Sequence, residues 1–112
     1  MSVIVKTTTP NALLRSIKED ISNGRRAGWE VDPDGDITLE PPPAGHRAWL
    51  RPRVTEGQVV FNILSPQNTR MSNQTYATYH SKLVSLLLRH YDSHFSSASC
   101  SALPTKGDSI GT

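Results

Sequence analysis

The stretch from Gly28 to Leu64 constrains the fold most, because it contains four short, alternating apolar and polar segments separated by turn-forming residues. Pro33-Asp34-Gly35 divides the first pair of segments and Glu56-Gly57 divides the second. Both combinations are typical of the turns that join antiparallel strands. The pattern therefore predicts two hairpins, over residues 28–40 and 47–64, that together form a four-stranded antiparallel meander.

Helical patterns flank this meander on both sides. Thr9-Pro10 is a typical helix start, and an apolar stripe follows until Asn23-Gly24 supplies a stop. A longer helix is predicted from Ser72 to Phe95, and the β-branched residues 2–7 predict a short additional strand. The predicted order is (β)αββββα, which gives an α+β two-layer sandwich with the N-terminal helix and the long C-terminal helix on one face of the sheet.

Chain length and composition predict one domain. A chain of 112 residues has room for one hydrophobic core. We expect residues 1–95 to form a single α+β domain and residues 96–112, which are rich in Ser, Ala, Gly and Thr, to form a disordered tail. The lone Cys100, the absence of a signal-peptide pattern and the short apolar run Leu83–Leu88 predict a cytoplasmic protein outside the membrane.

The chain shows none of the sequence frames that common enzyme classes require. It has no P-loop, no G-x-S-x-G and no G-x-G-x-x-G, and Cys100 lies in the predicted tail, where nothing orients a base beside it. The formal net charge of +2 is mild for a dedicated nucleic-acid-binding protein. We therefore expect a protein that is not an enzyme and carries no cofactor.

One predicted strand is strongly basic on one side. Period-two alternation places its basic and aromatic residues on a single sheet face. Such a face can bind an acidic protein or, as a weaker alternative, nucleic acid. It can also be neutralised internally if Glu40 and Asp36 pair with the arginines across neighbouring strands. The predicted partner-binding residues are Arg47, Trp49, Arg51 and Arg53.

The long helix is apolar over an arc of roughly 200°, wider than the stripe that a helix covered on one side needs. Two explanations fit this arc. The first helix packs beside it within the same chain, or a second copy of the chain covers it. In the second case the interface would include His80, Leu87, His90, Tyr91 and His94.

Two patterns suggest a metal site but lack essential ligands. His90 and His94 have the i, i+4 spacing that lets two imidazoles reach one ion, but Tyr91 replaces the Glu of an H-E-x-x-H motif and no third ligand is evident. The D-P-D-G-D segment at residues 32–36 has its glycine at position four, whereas a calcium-binding EF-hand loop needs it at position six. We interpret this segment as a hairpin turn and expect no metal.

These observations together predict a small non-catalytic, cytosolic protein-binding module, of the kind found among immunity proteins, antitoxins or adaptors. An acidic partner would contact the Arg/Trp strand, and the protein could also form a homo-oligomer. The alternatives are nucleic-acid binding through the same strand and a small metal-binding protein that uses the helix histidines.

Overall fold

The structure is a computed structural model that describes residues 2–43 and 46–111. The strands and helices predicted from the sequence are present, and one further strand forms in the segment predicted as a disordered tail. A short 3₁₀ helix, Asp92–His94, follows the second α-helix. In chain order, the elements are β1 (Ser2–Lys6), α1 (Pro10–Ser22), β2 (Trp29–Val31), β3 (Ile37–Leu39), β4 (Trp49–Thr55), β5 (Gln58–Leu64), α2 (Asn73–His90) and β6 (Ser97–Cys100).

The six strands form one antiparallel sheet in the order β2-β3-β4-β5-β1-β6. The predicted meander is present as β2 to β5, and the α+β class is confirmed. The N-terminal strand pairs with β5, with Val3 opposite Phe61 and Val5 opposite Val59. The sheet is therefore two strands wider than the four-stranded meander predicted from the sequence.

The core forms between the two helices and one face of the sheet. On β5, Phe61 and Ile63 face this core and are fully buried, whereas Val60 and Asn62 face the other side of the sheet and are also buried. Helix α1 contributes its apolar stripe, α2 contributes four buried apolar residues of its wide arc, and Tyr91 directly after α2 contributes a fifth. The buried residues of the sheet and of both helices belong to one cluster, so packing within the chain covers most of the apolar arc of α2. The cluster's members from the helices and from the residue that follows α2 are Leu13, Ile17, Ile21, Tyr79, Leu83, Leu86, Leu87 and Tyr91.

The helix ends follow the sequence signals only in part. Ser72 caps α2 as predicted, because its Oγ accepts a hydrogen bond from the Thr75 amide at 3.1 Å. Thr9 precedes α1, but its side chain makes no capping bond. Its own amide instead donates to Thr7 Oγ1 at 3.1 Å. Helix α2 ends at His90, five residues before the predicted end at Phe95.

The segment predicted as a disordered tail from residue 96 is built into the sheet. Residues Ser97–Cys100 form β6, which pairs with the edge of β1 from Lys6 opposite Ser97 to Val3 opposite Cys100. The prediction failed because the segment is poor in apolar residues, and such composition gives no strand signal. The free backbone groups of an edge strand can pair with a segment of almost any composition.

A half-buried carboxylate anchors the chain beyond β6. Asp108 accepts hydrogen bonds from the Asn62 side chain at 2.9 Å and from the Ile63 amide at 3.0 Å. Its other oxygen accepts from the Thr105 amide at 2.7 Å. Gly107 passes so close to Asn62 that a β-carbon there would lie 2.7 Å from the amide oxygen. This close approach requires glycine, so the segment docks against the sheet in a specific way.

No helix in the described part of the chain has both the length and the apolar character needed to cross a membrane.

Candidate functional site

Strand β4 carries three of the four predicted partner-binding residues on one sheet face. Trp49 is half-buried, whereas Arg51 and Arg53 are exposed. The intervening Leu50 is fully buried on the core side, as the period of two predicts. We call Trp49, Arg51 and Arg53 the open-face row.

Arg51 is held in place by a carboxylate from the neighbouring strand. Because Ile37 lies opposite Leu50, Asp36 lies beside Arg51 on the other face of the sheet. The guanidinium donates from Nε to Asp36 Oδ1 at 2.9 Å and from Nη2 to Oδ2 at 2.8 Å. These hydrogen bonds, followed by the attraction of the carboxylate charge, raise the pKa of Arg51. The ion pair fixes the orientation of the side chain and neutralises part of the row's charge.

Arg47 does not belong to the row, because it lies before the start of β4. Its Nη2 forms an ion pair with Glu40, and the hydrogen bond to that carboxylate raises the pKa of Arg47. Its Nη1 donates to Thr38 Oγ1 at 3.3 Å. Arg47 therefore ties the connection between β3 and β4 together. The internal pairing that the sequence left open is present for both Arg47 and Arg51.

Three of the five residues predicted for an interface between copies are buried within the protein. His80 and Tyr91 are 6% and 3% exposed and Leu87 is fully buried, so none of them presents surface to a second copy. The Nδ1 of His80 lies 2.7 Å from the Tyr76 carbonyl oxygen. His90 and His94 are exposed. The structure therefore does not bring the five residues together into one accessible face.

Tyr91, directly after α2, instead connects the end of that helix to α1 and to the loop after α1. Its hydroxyl donates to Asp20 Oδ2 at 2.7 Å and accepts from Arg26 Nε at 3.2 Å. Burial, together with the hydrogen bond to Asp20, raises the pKa of Tyr91. The same bond, assisted by Arg25 and Arg26, lowers the pKa of Asp20.

The structure brings the side chains together in one of the two sequence patterns that suggest a metal site, and not in the other. Within residues 2–43 and 46–111, the only group of three close acidic or metal-ligating side chains is Asp32, Asp34 and Asp36. Asp32 Oδ1 accepts the amides of Asp34 and Asp36, each at 2.9 Å, and the Asp36 carboxylate holds Arg51. These bonds are those of an Asx-type hairpin turn. His90 and His94 belong to no such group.

The tertiary structure also creates a basic cleft that the sequence did not reveal. The cleft has a volume of about 510 Å³ and lies between the loop after α1, the end of β3 and the second half of α2. Lys82 and Arg89 lie on α2, and nothing in the sequence joins them to residues 25 and 26. We use the name basic cleft for the depression lined by Arg25, Arg26, Trp29, Lys82, Arg89 and His90, among others.

Comparison with known proteins gives no relatives. No model of a protein family matches the chain, and neither a curated protein nor a solved structure matches it. The open-face row and the basic cleft are therefore the two structural features that bear on the function of the protein.

Proposed function

We propose that this protein is a small non-catalytic, cytoplasmic protein-binding module, of the immunity, antitoxin or adaptor kind, whose open-face row contacts an acidic partner. The observation that carries the proposal is the arrangement of Trp49, Arg51 and Arg53 in one row with Arg51 held by Asp36. Tryptophan and arginine are the residue types most enriched among those that dominate binding energy at protein interfaces.

The ion pair with Asp36 favours binding rather than preventing it. An arginine that binds a partner normally loses side-chain entropy, and one that is already held in place loses less. Only Nε and Nη2 are used by Asp36, and the Arg51 side chain is 55% exposed. The outward edge of the guanidinium therefore supplies donors for a partner's carboxylate. Arg53 has no ion pair within the part of the chain that the structure describes, and it adds a free positive charge to the row.

The test is capture of partners from the native cells by tagged full-length protein. We expect a stoichiometric protein partner that is lost when Trp49→Ala and Arg53→Glu are combined, with at least a tenfold rise in Kd for the purified pair. The matched control is Arg15→Glu, which reverses an exposed charge on α1 away from the row and should leave binding unchanged.

The same experiment distinguishes the alternative of nucleic-acid binding. An eluate with excess absorbance at 260 nm and a steep loss of binding with added salt would replace the protein partner with nucleic acid. Equal binding by the Trp49→Ala/Arg53→Glu protein and the Arg15→Glu control would remove the row from the proposed function.

A further inference from the structure

The basic cleft lies apart from the open-face row and shares no residue with it. Its floor is apolar, with buried Leu39 and Leu86 and the half-buried ring of Trp29. Its rim is formed by cationic side chains from the loop after α1 and from α2. This combination of a concave apolar floor and a few polar groups is typical of small-molecule sites, and the volume of about 510 Å³ is within their usual range.

The cationic side chains of the rim differ in how many hydrogen bonds and ion pairs they already make within the protein. Each of the three guanidinium nitrogens of Arg26 donates one hydrogen bond within the protein, to Tyr91, to the Arg25 carbonyl oxygen and to Asp20. It also lies over the Tyr91 ring, with its central carbon 5.3 Å from the ring centroid. Arg26 therefore acts as a fixed part of the wall.

The other cations of the rim keep hydrogen-bond donors free for a ligand. Arg25 uses Nη1 for Asp20 and is otherwise exposed. Lys82 and Arg89 lie on the same face of α2 and are exposed. Neither forms an ion pair within residues 2–43 and 46–111. Lys82 and Arg89, which are unpaired in the described residues, and Arg25, which Asp20 neutralises only in part, repel one another around one depression, and an anion that enters removes this repulsion.

The acidic side chains around the cleft do not supply that anion. Among the described residues that line the cleft, Glu40 is the single carboxylate, and it is paired with Arg47. Asp20, which does not line the cleft, already accepts hydrogen bonds from Arg25, Arg26 and Tyr91. The positive charge on Lys82 and Arg89 is therefore left without a counterpart in the described part of the chain.

We propose that the basic cleft binds a phosphorylated small molecule of nucleotide size, with its phosphates at Arg25, Lys82 and Arg89 and its organic body on Trp29. Arginine and lysine are the common donors to phosphate oxygens, and an indole ring is a suitable surface for a flat or apolar group. The concave shape favours a small ligand over a flat protein surface.

The experiment measures binding of ADP, inorganic pyrophosphate and adenosine to the full chain by calorimetry and by tryptophan fluorescence. The chain has two tryptophans, so a Trp49→Phe background makes Trp29 the reporter. We expect ADP to change Trp29 emission and to bind at least tenfold more tightly than either pyrophosphate or adenosine. Pyrophosphate has no organic group to contact Trp29, and adenosine has no phosphate to contact the cationic side chains. Calorimetry on the unmodified chain provides the same comparison if the Trp49→Phe change disturbs the fold.

The variant Lys82→Gln/Arg89→Gln should weaken ADP binding by at least tenfold, because each charge-assisted hydrogen bond contributes about that factor. Its control is Arg15→Gln, which removes one exposed charge elsewhere. The proposal is overturned if ADP does not bind at millimolar concentration, if pyrophosphate binds as tightly as ADP, or if both variants weaken binding equally. An acidic peptide that binds where ADP does not would also overturn it, in favour of a macromolecular ligand.

Discussion

The guanidinium of Arg51 and the carboxylate of Asp36 form a two-point ion pair between β4 and the residue that precedes β3. The nitrogen-to-oxygen distances are 2.9 and 2.8 Å. The carboxylate is inside the protein, with a side chain 5% exposed, whereas the arginine side chain is 55% exposed. The pair therefore stabilises an otherwise costly buried charge, and it places an oriented arginine at the surface.

Arg51→Ala should destabilise the protein by about 1–2 kcal/mol, because it leaves the buried Asp36 carboxylate without its cation. The effect is smaller than for a fully buried pair since solvent already screens the arginine. The measurement is urea unfolding at neutral pH. Arg53→Ala, on the same strand and without an ion pair in the described residues, is the control and should change the free energy of unfolding by less than about 0.5 kcal/mol. Equal losses for the two variants would mean that the ion pair adds no stability.

Tyr79→Phe should cost about 1–3 kcal/mol of stability, because the phenol oxygen accepts the buried Ala48 amide at 3.0 Å. Without the hydroxyl, this amide loses its hydrogen-bond partner at a position closed to solvent, since Tyr79 and Ala48 are fully buried. The comparison is Tyr76→Phe, whose hydroxyl makes no hydrogen bond in the part of the chain that the structure describes. Thermal unfolding should separate the two variants, and a Tyr79→Phe protein as stable as Tyr76→Phe would contradict the assigned bond.

Asp108 should make the stability of the protein depend on pH. Burial by itself raises the pKa of this carboxyl, but the hydrogen bonds from Thr105, Asn62 and Ile63 outweigh that effect and lower it. Because the folded-state pKa lies below the unfolded value of about 3.9, the stabilisation is present above about pH 4 and is lost as the pH falls through the folded-state pKa.

The test of this pH dependence compares the unmodified protein with Asp108→Asn. The difference in free energy of unfolding should be about 1 kcal/mol at pH 6 and should shrink as the pH falls from 4 to 2. Asp20 also titrates in this range, but its contribution is common to both proteins and cancels in the difference. A difference that is constant from pH 6 to pH 2 would exclude Asp108 as the titrating anchor. Trypsin cleavage after Lys106 should also be faster in the variant.

Adjacent leucines on α2 distinguish packing within the chain from self-association. Leu87 is fully buried, and Leu87→Ala should cost about 2–5 kcal/mol because it creates a cavity. Leu88 is 56% exposed, and Leu88→Ala should change stability by less than about 0.5 kcal/mol. Sedimentation measurements should give the same mass for both variants. A Leu87→Ala protein with normal stability and a smaller assembly would instead place Leu87 in an interface between copies.

The local chemistry of short segments was sufficient to predict most of the secondary structure. The turn at residues 33–35, the turn at Glu56-Gly57 and the Ser72 cap each act through neighbouring backbone groups, so they can be recognised without knowledge of the fold. The burial of Leu50 between Trp49 and Arg51 follows from the alternation of a strand for the same reason. Strand β6 has no such local signal, because the edge of β1 determines its structure.

The candidate site was only partly predictable. Period-two alternation correctly placed Trp49, Arg51 and Arg53 in one row, but it also included Arg47, which lies before the strand and binds Glu40. The basic cleft was missed because Arg25 and Lys82 are 57 positions apart in the chain and meet only after α2 packs on the sheet.

The sequence by itself determined the order and approximate positions of the strands from β1 to β5, the turns and the two α-helices, because those signals act over a few residues. The tertiary structure decided which charges are neutralised and which remain available. Arg51 and Arg53 are two residues apart in the same strand, yet among the described residues only the first forms an ion pair with a carboxylate. Electrostatic interactions depend on distance in space and on burial, and both are set by the packing of elements that are remote from one another in the chain.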